Sequence, residues 1–125
     1  MRFAKTVFIG AGVWGLVVLT PLYFMFDLVG RQYPPPITHP DFYYGFIGVA
    51  TAWQIAFLAI GRDPERLYPM MIPAVLEKFV YVGSLTALYV QGRLAAGQFA
   101  LAAPDLVLGI LFIVSYVKVA GAGRS

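Results

Sequence analysis

Residues 68 to 91 read YPMMIPAVLEKFVYVGSLTALYVQ, an apolar run broken near its middle by two adjacent charges, Glu77 and Lys78. A helix that crosses a bilayer needs roughly 20 predominantly apolar residues. This stretch is long enough, and only that central pair resists the assignment. Working outward, the rest of the chain repeats the pattern. Apolar segments run from about Lys5 to Leu28, from Phe42 to Gly61 and from Phe99 to Ala120. The four segments predict an all-α membrane protein with spans at about 5–28, 42–61, 68–91 and 99–120, forming a single four-helix transmembrane domain over residues 1–125.

Composition supports this reading. Of 125 residues, 60% are hydrophobic and 12% charged, whereas soluble domains are nearer half apolar and a quarter charged. A soluble chain this short could not hide so much apolar surface. The net charge of +3 comes from basic residues scattered at segment ends, with no basic face to follow a phosphate backbone, so nucleic acid is not an expected partner. The chain has no cysteine, which removes disulfides, thiolate metal sites and a cysteine nucleophile.

The breaks carry loop chemistry. Arg31 to Asp41 holds Pro34, Pro35, Pro36 and Pro40, suited to an extended connector. Arg62-Asp63-Pro64-Glu65-Arg66 reads as a short, solvated charged turn, and Gln91 to Gln98 contains Gly92, Arg93 and Gly97. Arg2 and Lys5 before the first segment resemble a secretory leader, but the apolar stretch is too long and no small-x-small site follows, which predicts a retained signal anchor. Arg2, Lys5, Arg62, Arg66, Lys118 and Arg124 would share one side of the membrane, and Arg31 and Arg93 the other. The excess of basic residues marks the cytoplasmic side, so both termini are expected there. Tyr23, Tyr33, Tyr43, Tyr44, Tyr68 and Tyr89 fall near segment ends, where amphipathic rings favour the headgroup region.

Short connections predict an up-down-up-down antiparallel bundle. Helices in lipid associate through close backbone approach and polar contacts. Gly45, Gly48, Ala52, Ala56 and Ala59 form a small-residue seam on the second span, and Ala11 and Gly15 a shorter one on the first. Such seams mark interfaces, either within the chain or with another chain. Pro21, Pro73 and Pro104 fall inside predicted spans, where each would free a backbone carbonyl and kink its helix.

Glu77 and Lys78 lie roughly ten residues, or about 15 Å, from the cytoplasmic end of their span. A charge at that depth costs about 2.5–3.5 kcal/mol on insertion scales, so it needs a partner or a wet cavity. Adjacent helical residues diverge, so the two are not expected to face each other. Glu77 falls on one stripe with Met70, Pro73, Tyr81, Ser84 and Leu88; Gln54 lies at similar depth on the second span, pointing away from the seam. On the fourth, Asp105 shares a face with Gly109, Phe112 and Tyr116, within reach of Lys78. The expectation is a buried polar cluster of Glu77, Lys78, Gln54 and Asp105, with Tyr81 beside it. Such a cluster can fix helix register or carry function. For Asp105 and Asp27, nearer the interface, the structural role is preferred. His39, the only histidine, stands in the outer loop beside Asp41. One imidazole cannot build a bis-histidine haem site, and no cofactor or metal is expected. Ser84 and Ser115 have no histidine nearby, so a serine triad has no support.

The segment His39-Pro40-Asp41-Phe42-Tyr43-Tyr44-Gly45-Phe46, continuing to Trp53-Gln54, together with Arg62-Asp63-Pro64 and Val75-Leu76-Glu77-Lys78, resembles small four-helix bacterial inner-membrane proteins over residues 39 to 78. In size and crossing number the chain is also similar to DoxX-like proteins and to the sterol-isomerase-type four-helix group, a likeness of architecture that does not fix function. The resemblance implies a bacterial inner-membrane location. With such short loops, any activity belongs within the bilayer or at its surface. Three classes of function remain open. One is an accessory or assembly subunit that binds a membrane partner or a lipid-like ligand. Another is a small oligomeric transporter or proton relay using Glu77. The third is an intramembrane enzyme acting on a lipid or quinone. The expected partners are the bilayer, another membrane protein or a second copy of the chain, and a lipid-like ligand.

Overall fold

The computed structural model describes residues 2–32 and 37–122. Tyr33, Pro34, Pro35, Pro36 and Arg124, which figured in the loop and charge readings, lie outside the described residues. Within them the chain is helical throughout, without strands. The helices are α1 (Arg2–Leu19), α2 (Phe26–Gln32), α3 (Pro40–Arg62), α4 (Pro64–Leu67), α5 (Met71–Val90), α6 (Ala96–Phe99) and α7 (Ala103–Ala122). Four stretches are long and apolar enough to cross a membrane: Arg2–Phe24, Pro40–Arg62, Pro64–Val90 and Ala96–Gly121.

The boundaries differ from the expected ones for identifiable reasons. The first segment does not run unbroken to Leu28. It passes at Thr20–Phe24 into a 3₁₀ turn containing Pro21, breaks at Met25 and resumes as α2, which carries Asp27. Pro73 and Pro104 likewise follow 3₁₀ turns, Tyr68–Met70 and Ala100–Ala102. Proline lacks the N–H that would bond four residues back. That missing donor would serve Pro69 and Ala100, and both lie in the 3₁₀ turns, where bonding is i to i+3. The latter two prolines thus sit in first turns of helices. The charged segment after α3 is not a simple turn. Asp63 caps α4 by accepting a hydrogen bond from the Arg66 N–H at 3.4 Å, with Pro64 in the first turn, where its missing N–H costs nothing. Its charged side chains are exposed, as expected, and only Pro64 is buried.

Side-chain packing defines which helices touch. Along α1 and α3, Ile9 meets Gly61, Gly12 meets Leu58, Gly15 meets Gln54 and Tyr23 meets Gly48. Along α5 and α7, Tyr68 meets Tyr116, Lys78 meets Asp105, and Gly109 meets Phe79. α1 also packs on α7, where Phe8 stacks on Phe112 at 4.2 Å between ring centroids. Phe57 of α3 stands edge-on to both rings, 6.2 Å from Phe8 and 5.0 Å from Phe112. This three-ring centre is fully buried and is extended by Ala4, Ala11, Ile60, Met71, Ala74 and Val119.

The small residues divide unevenly. Ala11, Gly12 and Gly15 of α1 are buried, and a Cβ at Gly12 would lie 2.7 Å from Leu58 and 2.8 Å from the Gln54 carbonyl oxygen. The seam of α3 does not serve this contact. Gly45, Ala52 and Ala59 are exposed, Gly48 and Ala56 are half-buried, and α3 instead buries Ile47, Ala50, Gln54, Phe57, Ile60 and Gly61. α3 and α5, expected as close neighbours because α4 joins them directly, barely touch. Their facing sides part to form a cleft.

Candidate functional site: the α3–α5 cleft

The cleft has a volume of about 800 Å³ and is lined by Asp41 through Trp53 on α3 and by Pro73 through Ser84 on α5. Its α3 wall presents Phe42, Phe46, Val49 and Trp53, and its α5 wall Leu76, Val80 and Tyr81. The wall residues on α5 are spaced as helical geometry requires: Pro73, Glu77, Tyr81 and Ser84 recur every three or four residues and share one side of the helix. Four members of the stripe read from sequence therefore face a single space. Tyr81 stacks across the cleft on Phe46, with ring centroids 6.4 Å apart. Ser84 faces the cleft but donates its hydroxyl to the Val80 carbonyl at 2.8 Å, so its proton is already used.

Behind the α5 wall lies the ionic centre. Lys78 is 4% exposed, and its Nζ donates to Asp105 Oδ1 at 3.0 Å. The same Nζ stands 3.6 Å from Glu77 Oε2 and 5.2 Å from the centroid of the Phe57 ring. Glu77 and Lys78, expected not to face each other, are thus in ion-pair range. Their Cα–Cβ bonds diverge, but the long lysine side chain folds back past the helix surface toward both carboxylates. The Lys78 Cβ also lies near Gly109, where α7 comes close to α5. A larger residue at that position would collide with Phe79 at 2.8 Å.

Glu77 occupies a different position from Asp105. Its carboxyl lines the cleft, its side chain is 20% exposed, and Oε2 has no hydrogen-bond partner among the described residues. Asp105 carries the short bond to Lys78. Three ionisable groups therefore meet, two acids and one base, and the base is committed to the acid away from the cleft. Glu77 stands at the cleft wall and holds the weaker share of the lysine: its Oε2 is buried 3.6 Å from Lys78 Nζ.

Gln54 does not join this cluster. It is buried against α1, where a Cβ at Gly15 would fall on its carboxamide. Its Nε2 donates to the Ala50 carbonyl at 2.8 Å, and Oε1 has no hydrogen-bond partner among the described residues. It points away from the exposed seam, as expected, but that side of α3 meets α1 and not Glu77 and Lys78. Sequence reasoning also missed Phe57 as the ring beneath Lys78, and Trp53 as a cleft wall. A spacing signal existed for both, since Phe46, Val49, Trp53 and Phe57 fall three or four residues apart. The pair Lys78–Asp105, by contrast, forms as anticipated. His39 is exposed, stacks on Phe42 at 4.9 Å and contributes nothing to the cleft. Among the described residues no three His, Cys, Asp or Glu side chains gather as metal ligands would.

No protein-family model matches the sequence, and no curated protein or solved structure matches it either.

Proposed function

We propose that the chain is a multi-pass membrane protein that binds a lipid-like ligand in the cleft between α3 and α5. The observation that carries this reading is the cleft itself, an apolar and aromatic groove with two acids, Asp41 and Glu77, in its lining. Ligand sites have this composition, mostly apolar walls with a few placed polar groups, and volumes of roughly 300–1,000 Å³. The cleft opens between two helices on the side of the bundle, so a molecule dissolved in the bilayer would reach it laterally. Glu77 would accept a hydrogen bond from the ligand's polar group, with Tyr81 and Trp53 holding its body. Lys78 and Asp105 would fix the α5–α7 register and hold Glu77 in place.

The membrane setting rests on the outer surface. Val17, Val49, Val80 and Val117 are all more than 60% exposed, a density of exposed aliphatics that a soluble monomer does not tolerate. The paired contacts of α1 with α3 and of α5 with α7 support an up-down-up-down antiparallel bundle in one domain. The basic residues at Arg2, Lys5, Arg62, Arg66 and Lys118 support cytoplasmic termini in a bacterial inner membrane. Because the chain has no cysteine, Arg66→Cys and Arg93→Cys give clean labelling sites. An impermeant maleimide added outside intact cells should label only the second, and the opposite pattern inverts the topology.

Native mass spectrometry after gentle extraction from the membrane tests the ligand. The expected spectrum shows a discrete lipid-sized adduct that disappears in Val49→Trp, whose ring would fill the groove. A stable complex with another polypeptide and no adduct would replace ligand binding with the accessory-subunit reading.

A further inference from the structure

Two acids line the α3–α5 cleft, Glu77 part-way along α5 and Asp41 at one end, and among the described residues no Lys, Arg or His lines it. Four aromatic rings share those walls: Phe42, Phe46, Trp53 and Tyr81. The one nearby base among the described residues, Lys78, is buried behind α5, bonded to Asp105 at 3.0 Å and 3.6 Å from Glu77 Oε2, so two acids share it. Asp41, Glu77 and Asp105 thus stand against a single lysine, which leaves an excess of negative charge at the groove and its back wall. Ring faces attract a cation through their quadrupoles, most strongly when water is excluded. A carboxylate in a low-dielectric wall attracts it further, and an anionic head would be repelled there.

We infer, resting on the ligand-binding reading above, that the cleft is selective for a lipophilic amine: an apolar chain or ring body carrying one protonated nitrogen that pairs with Glu77. Glu77 lies six residues into α5, well inside the span. The nitrogen therefore comes from a molecule lying within the hydrocarbon, not from a phospholipid headgroup held at the surface. Asp41 at the end of the groove is placed to attract the cation on entry. The body of the ligand then lies against Val49, Trp53, Leu76 and Val80 as the nitrogen meets Glu77.

Three probes with the same chain separate charge from hydrophobicity: dodecylamine, dodecanol and dodecanoic acid. Each is titrated into the purified full-length protein in a neutral detergent, reading Trp53 emission in a Trp14→Phe background. Val49→Trp, compared by calorimetry, measures simple partition into the micelle. Dodecylamine should bind at least tenfold more tightly than either of the others. Glu77→Gln should remove that preference while leaving dodecanol binding in place. Asp41→Asn, at the exposed end of the groove, should weaken amine binding by a smaller factor. Equal or tighter binding of dodecanol or dodecanoic acid overturns amine selectivity and leaves the cleft as a site for neutral or acidic lipids. Competition by phosphatidylethanolamine as effective as that of dodecylamine overturns it too, by assigning the site to a headgroup. If no probe binds beyond the level in Val49→Trp, the ligand-binding reading itself fails.

Discussion

Helix α3 shows two faces with opposite designs. Toward α1 it brings Gln54, Phe57, Leu58 and Gly61 into contact tight enough that Gly12 and Gly15 have no space for a methyl group. Toward α5 it offers Phe42, Phe46, Val49 and Trp53 to a gap of about 800 Å³. Both faces are apolar, so hydrophobicity does not distinguish them. What differs is the partner. α1 supplies small residues that let backbones approach, whereas α5 faces α3 with Leu76, Glu77, Val80 and Tyr81. Helices in lipid gain association energy from fit and polar contact, because lipid tails are as apolar as leucine. A face without a matching surface is therefore left unfilled by the chain itself.

The largest expected effect breaks the closed half of the bundle. Lys78→Met leaves Asp105 without its cation where α5 meets α7. Removing one partner of a buried ion pair costs about 3–5 kcal/mol. The Asp105 side chain is 22% exposed, which moves the cost toward the lower end of that range. Thermal unfolding in detergent should show the loss, and Lys78→Met combined with Asp105→Leu should recover most of it. A single variant as stable as the parent would show that the pair does not hold the helices together. Next in size is Gly12→Val, which forces a side chain against Leu58 and the Gln54 backbone. Overpacking of this kind costs about 1–3 kcal/mol. The comparison sharpens at Gly45, on the cleft side of α3, where an added Cβ meets nothing within 4 Å. Gly45→Ala should stabilise the helix by up to about 1 kcal/mol through reduced backbone entropy. A destabilising Gly45→Ala would mean that the open face is packed against something in the membrane.

The number and placement of the long helices were legible because hydropathy reports depth directly. So was the contact between Lys78 and Asp105, since two opposite charges at compatible depth have few alternatives in lipid. The stripe Pro73, Glu77, Tyr81 and Ser84 was also legible, because helical spacing fixes a shared face without reference to any neighbour. What could not be read was which face meets which helix. Every side of α3 is apolar, so the small-residue seam at Gly45, Ala52 and Ala59 looked like the natural contact surface, yet the chain buries the other side. Gln54 followed the same error and went to α1 instead of Glu77. The three prolines left a related point open. Local chemistry says that a carbonyl loses its donor, but not whether the chain answers with a kink or with a 3₁₀ turn.

The smallest expected effect on stability carries the most information about function. Glu77 is not the residue that holds Lys78: its Oε2 stands 3.6 Å away, against 3.0 Å for Asp105, and has no hydrogen bond. Glu77→Gln keeps the shape and leaves the Lys78–Asp105 bond intact, so thermal stability should change by less than about 0.5 kcal/mol, as for substitutions away from a packed core or a broken network. Lys78→Met and Glu77→Gln, adjacent in sequence, should then differ by several kcal/mol in stability. Their order should reverse in ligand retention, where Glu77→Gln is the more damaging of the two once Lys78→Met is stabilised by Asp105→Leu. That reversal is what separates a carboxylate that faces a ligand from a lysine that ties two helices. Equal losses of stability in both variants would instead make Glu77 a third member of the structural ion pair, and the cleft would lose its only polar anchor at mid-depth.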